Sequence, residues 1–340
     1  MINAAIIGLG WWGKNIVQCV QGKSTKLRFV HGVSKETDAA LPIAEAHGFT
    51  LSDDLEHALA DQRVQAVVLA TPHSLHADQI VRVAAAGKPV FCEKPLALKR
   101  ADAERAVAAC RKAGVAIGVG QNKRFWPSMA ELRRIVGSGA LGRVMHIEGH
   151  YSNENSGLHF SAWRDSPSES PGGGMTGTGI HMLDAFVSVG GPLSEVSARV
   201  ITHRSGPDPR DTASVMFRFA NDLSGFFGAV RASPFYWRMH VFGDEGSVEA
   251  LGETEVVVRT RGGKVERREF GKIDSIRAEI DAFADAADQA TREHRSVGVG
   301  IVVADGKHPR CLRLALMDVE HRYLFAIDQG AHAGIGHDVV

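Results

Sequence analysis

The regular alternation of two patterns in the first third of the chain constrains the fold more than any other feature. Short apolar runs, typical of strands covered on both faces, alternate with Ala-rich segments that have helical spacing. Because short connections join these segments, the strands must run parallel with helices on both sides of the sheet. We therefore predict strands at 4–7, 27–30, 66–70, 89–92 and 115–119, and helices at 14–22, 37–48, 76–87 and 99–114.

The pattern changes near Gln121. After a helix-like segment at 127–136, extended runs follow one another and are joined by tight-turn pairs such as Asn221-Asp222 and Gly262-Gly263, as in an antiparallel sheet. Strands are predicted at 144–151, 195–202, 213–220, 224–232, 238–242, 247–251, 255–260 and 265–270, and helices at 276–290 and 309–327. We predict an α/β fold with two domains, 1–121 and 122–340, the second being an α+β domain with a mainly antiparallel, open-faced sheet.

Composition narrows the class of protein. Of 340 residues, 44% are hydrophobic and 23% are charged, as in ordinary globular proteins, and 39 basic residues balance 39 acidic ones. A neutral total argues against general binding to nucleic acid or membrane surfaces, and no apolar run approaches the length of a membrane span. The N-terminus reads as a strand rather than a signal peptide, and the four cysteines have no metal-binding or redox spacing. We expect a cytoplasmic protein that binds a small molecule, without nucleic-acid, membrane or metal partners.

A glycine-rich segment follows the first predicted strand. Gly8, Gly10 and Gly13 have the spacing Gly-x-Gly-x-x-Gly, and a helix pattern begins beside the third. In dinucleotide-binding proteins the first glycine permits a sharp turn, the second lets the backbone approach a pyrophosphate, and the third lets the helix pack on the strand. We predict that residues 1–121 form a Rossmann dinucleotide-binding domain in which these glycines, Trp11 and Trp12 bind the cofactor. A strand–helix turn without a ligand is the alternative.

The residue that ends the second strand selects the cofactor. A carboxylate there, about 20 residues past the glycines, would bind the ribose 2′-OH of NAD and repel a 2′-phosphate. In this chain that position is Ser34, and Lys35 follows it. A hydroxyl and an ammonium group can both bind a phosphate, which a carboxylate would repel. We therefore predict a preference for NADP(H). NAD(H) is the alternative, because a small shift in register would bring Glu36 into this place.

Further segments occur in a characteristic order. Thr-Pro-His-Ser-Leu-His follows the third predicted strand, Glu-Lys-Pro follows the fourth, and the remaining segments lie at 120–125, 139–144, 163–164 and 179–184. With these segments, the chain resembles, over about residues 1–290, the Gfo/Idh/MocA family, which is named for glucose–fructose oxidoreductase, inositol dehydrogenase and the rhizopine protein MocA. The combination of Glu-Lys-Pro with Gly-x-His-x-x-Asp makes the resemblance specific.

Lys94 and His181 are the candidate catalytic residues. Hydride transfer between a carbinol carbon and nicotinamide requires a proton to leave or join the oxygen, and a lysine at the carboxyl end of a parallel strand faces the ligand-binding crevice. The resemblance implies that Lys94 is the acid–base residue and that His181 lies beside the substrate hydroxyl. Asp184, three residues further, is placed to orient the imidazole. A surface lysine, a structural histidine and a helix-start carboxylate are the alternatives.

The same resemblance implies contacts with cofactor and substrate. Cofactor contacts are expected at Thr71, Pro72, His73, His76, Glu93, Lys94, Asn122, Trp163 and Arg164. Substrate contacts are expected at Lys94, Arg124, Arg164, Thr178, His181 and Asp184. Asn122 and Arg124 have the alternative role of tying the domains together, and His73 with His76 has the spacing of a metal pair that lacks a third ligand.

One departure from the family affects the choice of function. Many sugar-acting members have an aspartate four residues before the histidine, and here that position is Gly177. The leading prediction is an NAD(P)-dependent oxidoreductase acting on a carbinol or carbonyl of a sugar-like, polyol or cyclic hydroxy compound. A glycosidase that oxidises its substrate transiently with NAD and a non-catalytic dinucleotide sensor are the alternatives. Because open antiparallel faces commonly become subunit interfaces and relatives are often dimers or tetramers, we also expect a homodimer or homotetramer.

Overall fold

Two sheets carry the fold, in a computed structural model that describes residues 1–154, 163, 166, 168–171, 174–201, 212–293 and 301–302. The predicted helix at 309–327 lies outside these residues. The helices are α1 Trp11–Val20, α2 Thr37–His47, α3 Leu55–Ala60, α4 His76–Ala85, α5 Arg100–Ala113, α6 Pro127–Gly137, α7 Ile180–Gly190 and α8 Ser275–Glu293. The strands are β1 Ile2–Ile7, β2 Leu27–Val33, β3 Thr50–Ser52, β4 Ala66–Leu69, β5 Val90–Glu93, β6 Ile117–Gly120, β7 Val144–Ser152, β8 Leu193–Ile201, β9 Thr212–Phe219, β10 Ser224–Val230, β11 Tyr236–Gly243, β12 Gly246–Leu251, β13 Glu255–Thr260, β14 Val265–Glu269 and β15 Ile301–Val302.

The first sheet confirms the predicted parallel Rossmann architecture. Its strands run parallel in the order β3-β2-β1-β4-β5-β6-β15 over the described residues. Apolar side chains fill both faces, Leu69 and Val107 on one and Ile16 and Phe29 on the other, which explains the continuous apolar runs. Because the strand order reverses between β1 and β4, the carboxyl ends of the strands open onto a crevice, where ligands of such sheets bind.

The second sheet confirms the predicted mainly antiparallel, open-faced sheet. Its order in the described chain is β14-β13-β12-β11-β7-β10-β9-β8, and only β7 with β10 pairs in parallel there. Helices α6 and α7 pack on one face, where Gly149 of β7 leaves room for a ring, since a Cβ there would lie 2.5 Å from Phe186. The opposite face exposes Met216 and Phe226 to solvent.

The last described elements return to the first sheet. Ile280 and Phe283 of α8 are buried in the same core as Phe91 of β5, with the two phenyl rings 5.7 Å apart. The short strand β15 then pairs with β6. The sequence pattern predicts that this helix belongs to the second domain, whereas in the structure it packs against the first domain. Local sequence pattern does not reveal such a long-range contact.

Candidate active site

The glycine loop after β1 has two glycines that the fold requires and one that it does not. A Cβ on Gly13 would lie 1.9 Å from the carbonyl oxygen of Gly8, and one on Gly8, where φ is +93°, would lie 2.6 Å from the carbonyl oxygen of Ala70. A Cβ on Gly10 would meet nothing within 4 Å. The open space at Gly10, directly before α1, is what a pyrophosphate approaching the helix N-terminus needs, so these residues fit a dinucleotide.

Trp11 and Trp12 begin α1 beside this loop, with their rings 5.4 Å apart. Trp11 is half exposed, whereas Trp12 packs on the core of the first sheet. The indole Nε1 of Trp12 is buried and has no hydrogen-bond partner among the described residues. Both tryptophans therefore lie where a dinucleotide would change their surroundings.

Ser34 and Lys35 follow β2, in the place that was predicted to select the cofactor. The Ser34 hydroxyl donates to the carbonyl of Glu36, 3.3 Å away, and accepts from its N–H at 3.2 Å. Lys35 is exposed. The N–H of Glu56, and more weakly the charge of Lys35, lower the pKa of Asp54. The ammonium therefore lies near enough to Asp54 to act on the carboxylate.

The histidines after β4 hold two loops in place. Both ring nitrogens of His76 meet carbonyl oxygens, Nδ1 that of Pro95 at 2.8 Å and Nε2 that of Thr71 at 2.9 Å, so this buried side chain connects the loops after β4 and β5. His73 donates from Nδ1 to the carbonyl of Glu169 at 2.7 Å, and Trp163 packs edge-on against its ring. Pro72 precedes the 3₁₀ turn His73–Leu75, and the Thr71 hydroxyl is 2.5 Å from Gln79 Oε1.

Lys94 and His181 reach the crevice from different domains, Lys94 from the end of strand β5 and His181 from the start of helix α7. Lys94 follows β5, and its Nζ donates a 2.7 Å hydrogen bond to the carbonyl of Gly177 in the π-helical turn Met175–Gly179 that leads into α7. His181, the second residue of α7, is buried, and burial together with the charges of Lys94 and Lys123 lowers its pKa well below the usual range. The arrangement places an amine and a neutral imidazole at the carboxyl edge of the first sheet.

Gln121, rather than Asp184, orients His181. The Oε1 atom of Gln121 lies 2.8 Å from Nδ1 of His181. Asp184 instead accepts two hydrogen bonds from Arg124, at 2.5 and 2.7 Å, in a buried ion pair. The spacing of three residues does place His181 and Asp184 on one helix face, but a guanidinium from the loop after β6 is the stronger partner for the carboxylate.

Asn122 and Arg124 both form contacts of the kind expected if they connect the two domains. The amide of Asn122 donates to the hydroxyl of Ser275 at 3.2 Å, which joins the segment after β6 to the start of α8. Arg124 and Asp184 satisfy each other and fasten the same segment to α7. Their predicted cofactor and substrate contacts remain predictions.

A pair of buried carboxyl groups lies behind Lys94. Glu93 ends β5, and a Cβ at Gly120 on the neighbouring strand would lie 2.9 Å from its carboxyl group. Glu279 of α8 is also buried, and burial and the charge of Glu93 raise its pKa well above the usual range. The two carboxyl groups therefore lie close enough to influence each other, and the charge of Glu93 disfavours ionisation of Glu279.

Lys123 brings a second amine to the site. Its Nζ lies 4.0 Å from the centroid of the Trp126 ring, 4.8 Å from that of Tyr151 and 5.3 Å from that of Trp237. Burial and the charge of Lys94 lower the pKa of Lys123 to about 7. We call this arrangement, completed by Phe235 at 5.7 Å, the aromatic cage.

Two remaining predicted residues can be placed. The Thr178 hydroxyl donates to the carbonyl of Gly174 at 2.6 Å, within its own helical turn. Trp163 packs on His73, as described above, and Arg164 lies outside the described residues. The predicted contacts of all three with ligands remain predictions.

Other features bear on the class of protein. In the described part of the chain no group of three or more His, Cys, Asp or Glu side chains is arranged to hold a metal ion. Cys19, Cys92 and Cys110 are free thiols, and burial raises the pKa of Cys110 to about 12. None of the helices that the structure describes combines the length and apolarity that crossing a membrane requires.

Gln121, Lys123 and Glu279 were not predicted as site residues. Gln121 and Lys123 lie in the segment 120–125 that carried the resemblance, but one residue type alone does not reveal a partner sixty positions away. Glu279 had a readable signal. It occupies the apolar stripe of Ile276, Ile280 and Phe283 on its helix, where a lone carboxylate is unusual.

Comparison with known proteins agrees with this architecture. The chain is 29% identical over 298 residues to an inositol 2-dehydrogenase of Saccharopolyspora erythraea, covering 84% of this chain and 85% of the relative. It is 26% identical over 271 residues to a 2,7-anhydro-N-acetylneuraminate hydratase of Escherichia coli, covering 77% and 71%. A levoglucosan dehydrogenase in complex with NADH and L-sorbose superimposes with a TM-score of 0.77 over 85% of this chain and 90% of that one. Its identity of 23% shows the fold alone.

The family itself is given by two matches that together span most of the chain. Residues 2–121 match the oxidoreductase family with an NAD-binding Rossmann fold, and residues 129–249 match the Gfo/Idh/MocA C-terminal domain. The expected nicotinamide-dependent oxidoreductase is thereby confirmed. The chain belongs to the Gfo/Idh/MocA family of oxidoreductases.

Proposed function

We propose that this oxidoreductase transfers a hydride between a nicotinamide cofactor and a carbinol or carbonyl carbon of a sugar-like, polyol or cyclic hydroxy compound. The observation that carries the proposal is the closeness of Lys94 and His181 at the crevice, where Lys94 binds the Gly177 carbonyl four residues before His181 and its charge lowers the pKa of His181. A glycine loop with open space at Gly10 stands at the same sheet edge. The inositol dehydrogenase relative supports a polyhydroxylated ring as substrate.

The protein side chains have separate tasks in this reaction. The bound nicotinamide supplies or accepts the hydride. Lys94 stabilises the developing alkoxide and gives or takes the proton at the substrate oxygen. His181, neutral because of its low pKa, offers a lone pair to the substrate hydroxyl and fixes its direction.

The test compares Lys94→Met with Lys99→Met, a matched change of an exposed lysine. Nicotinamide absorbance is followed over a panel of inositols, sugars and lactones with each cofactor. We expect Lys94→Met to lower kcat by about 10²–10⁴-fold without abolishing cofactor binding, because only the proton transfer is lost. Equal turnover by the two variants would remove Lys94 from the chemistry, and the absence of turnover in the parent protein over the panel would overturn the proposed reaction.

For the cofactor we propose NADP(H), with NAD(H) as the weaker ligand. Ser34 and Lys35 stand in place of a carboxylate directly after β2, and an ammonium attracts a 2′-phosphate. Lys35→Ala should weaken NADPH binding by about tenfold, or about 1.4 kcal/mol, while leaving NADH binding nearly unchanged. Quenching of tryptophan fluorescence gives both dissociation constants. An equal loss for the two cofactors, or tighter NADH binding by the parent protein, would contradict the assignment.

A transient redox cycle is the second candidate, and the hydratase relative supports it. In such a cycle the cofactor is oxidised and reduced within one turnover. Substrate would then disappear without a net change in nicotinamide absorbance, and the cofactor would remain bound during purification. The substrate panel described above therefore separates the two candidates if product formation is measured along with absorbance.

We further propose a cytoplasmic homodimer or homotetramer that binds no nucleic acid or membrane and divides into domains near Gln121. The free thiols of Cys19, Cys92 and Cys110 support a reducing compartment. The open face of the second sheet supports self-association. It carries exposed Met216 and Phe226 beside side chains of both charges.

A further inference from the structure

His181 has an uncharged partner. Gln121 Oε1 lies 2.8 Å from His181 Nδ1, and the two residues are 8% and 7% exposed. An amide oxygen only accepts hydrogen bonds, so Nδ1 carries the hydrogen and Nε2 keeps its lone pair. The contact therefore selects one tautomer of the imidazole.

Gln121 is itself held from both sides. Its backbone N–H donates to the carboxyl group of Glu279, and its carbonyl accepts from the N–H of Arg124 at 2.9 Å. The residue follows directly after β6, the neighbour of β5, which Lys94 follows. A rigid strand end, a helix and a turn thus fix the amide that meets His181.

The partner's lack of charge also matters. A carboxylate beside an imidazole would raise the pKa of the imidazole by stabilising the imidazolium. An uncharged amide does not, so burial and the charges of Lys94 and Lys123 lower the pKa of His181 without a nearby negative charge in its hydrogen-bond partner to oppose them. The position four residues before His181, about one helical turn away, is Gly177 and brings no carboxylate. Its carbonyl is occupied by Lys94.

We propose that Gln121 is the positioning residue of this site, holding His181 in the Nδ1–H tautomer so that Nε2 accepts a hydrogen bond from the reacting hydroxyl. The inference rests on the proposed function for the second half of that statement only. Gln121 orients the imidazole without adding a charge beside it. His181 therefore stays neutral during the reaction, and Lys94 is the residue that gains or loses the proton.

The first test reads the tautomer directly. Long-range ¹H–¹⁵N spectra of the full-length, cofactor-saturated protein labelled at histidine distinguish Nδ1–H from Nε2–H, and His181→Asn identifies the signal among the 16 histidines. We expect Nδ1–H in the parent protein and in Gln62→Met, a change at an exposed glutamine whose amide donates to the nearby carbonyl of Ala60. Gln121→Met should give a mixture of tautomers. An Nε2–H tautomer in the parent protein, or an unchanged spectrum in Gln121→Met, would overturn the proposal.

The second test uses Gln121→Glu, which keeps the shape of the side chain and adds the missing charge. The carboxylate should raise the pKa of His181, so that the His181 signals titrate in the accessible range and kcat gains an acid limb absent from the parent protein. Gln121→Met should lower kcat by about 10–100-fold, with a smaller change in KM. A pH profile of Gln121→Glu that matches the parent profile would also overturn the proposal.

The two tests separate the inference from the proposed function. The spectra require no substrate, so they decide the tautomer whatever the reaction is. If the tautomer is as expected but neither the parent nor any variant turns over the substrate panel, the proposed function fails and the Gln121–His181 assignment stands. If Gln121→Met does not fold, the Gln121→Glu spectra and pH profile carry the decision.

Discussion

The amine of Lys123 is held by aromatic faces in place of carboxylates. Among the residues that the structure describes, none forms an ion pair with it, and the nearest opposing charge acting on its pKa is that of Glu253. Ring faces attract a cation, but they compensate only part of the hydration that it loses on burial. The charged groups that act on the pKa of this amine are thus Lys94 after β5, which lowers it, and Glu253 after β12, which raises it, and the amine in turn acts on His181 of α7.

We predict that Lys123→Met changes the pH dependence of stability. Burial lowers the pKa of Lys123 to about 7 in the folded protein, whereas an unfolded lysine titrates near about 10.4. Between these values the unfolded chain binds more protons, so the parent's free energy of unfolding rises with pH, and methionine lacks this dependence. The variant's stability minus the parent's should therefore fall by on the order of 1–3 kcal/mol between about pH 7 and pH 10.

Urea unfolding at several pH values measures this difference. Lys99→Met, a change at an exposed lysine, is the control and should give a difference that stays constant with pH. A constant difference for Lys123→Met as well would show that the amine is not destabilised by its surroundings.

At the scale of elements, different glycines in the turn from β1 to α1 serve folding and cofactor binding. Gly13→Ala would place a methyl group 1.9 Å from the Gly8 carbonyl oxygen, so we predict a loss of about 3 kcal/mol or more in stability. Gly10→Ala has free space in the protein, so it should keep the parent's melting temperature but weaken cofactor binding by about 10–100-fold. Thermal unfolding measures the stability of both variants, and quenching of Trp11 and Trp12 fluorescence by the cofactor measures its affinity for Gly10→Ala. A Gly10→Ala variant with unaltered affinity would place the pyrophosphate elsewhere.

The elements predicted from sequence were those with a strong local signal. The predicted strands and helices of the first third are present, with ends shifted by a few residues, because apolar runs and glycine caps fix them locally. The strand Thr50–Ser52 and the helix Leu55–Ala60 were not predicted, since each is too short to show a period. The π-helical turn Met175–Gly179 also has no sequence pattern, although its Gly177 carbonyl binds Lys94.

At the scale of the whole molecule, the open face of the second sheet is suited to a second copy of the chain. Arg238 binds Glu249 at 2.6 Å and Glu148 at 3.1 Å on this face, next to His240. The His240 Nε2 is buried without a partner in the described chain. Mixed charges beside apolar side chains can pair with themselves across a two-fold axis.

We predict that Met216→Lys combined with Phe226→Lys dissociates the proposed oligomer into 36.6 kDa subunits. Two lysines on each subunit would bring like charges together and bury them without partners. Light scattering during size-exclusion chromatography measures the mass. Leu41→Lys, an exposed apolar position on the first domain, should leave the mass unchanged. A parent protein of 36.6 kDa would reject the oligomer itself.

Long-range partners account for what could not be predicted about the site. The family motifs drew attention to Lys94 and His181 because both lie at the ends of recognisable elements, Lys94 after β5 and His181 at the start of α7. The partners of His181 and Asp184 come from the segment after β6, sixty residues earlier, and Glu279 comes from α8. Local spacing therefore suggested Asp184 as the orienting residue, while tertiary packing supplied Gln121.

The two crossings of the chain between the sheets lie side by side, joined by the hydrogen bond from Asn122 to Ser275. The two sheets are thus tied to each other by two chain segments and by the hydrogen bond between those segments. Lys94 follows a strand of the first sheet, and Gly177 lies in the turn before α7, the helix that packs on the second sheet. The Lys94–Gly177 hydrogen bond therefore joins the two halves of the protein at the crevice, so any separation of the halves at this point has to break it.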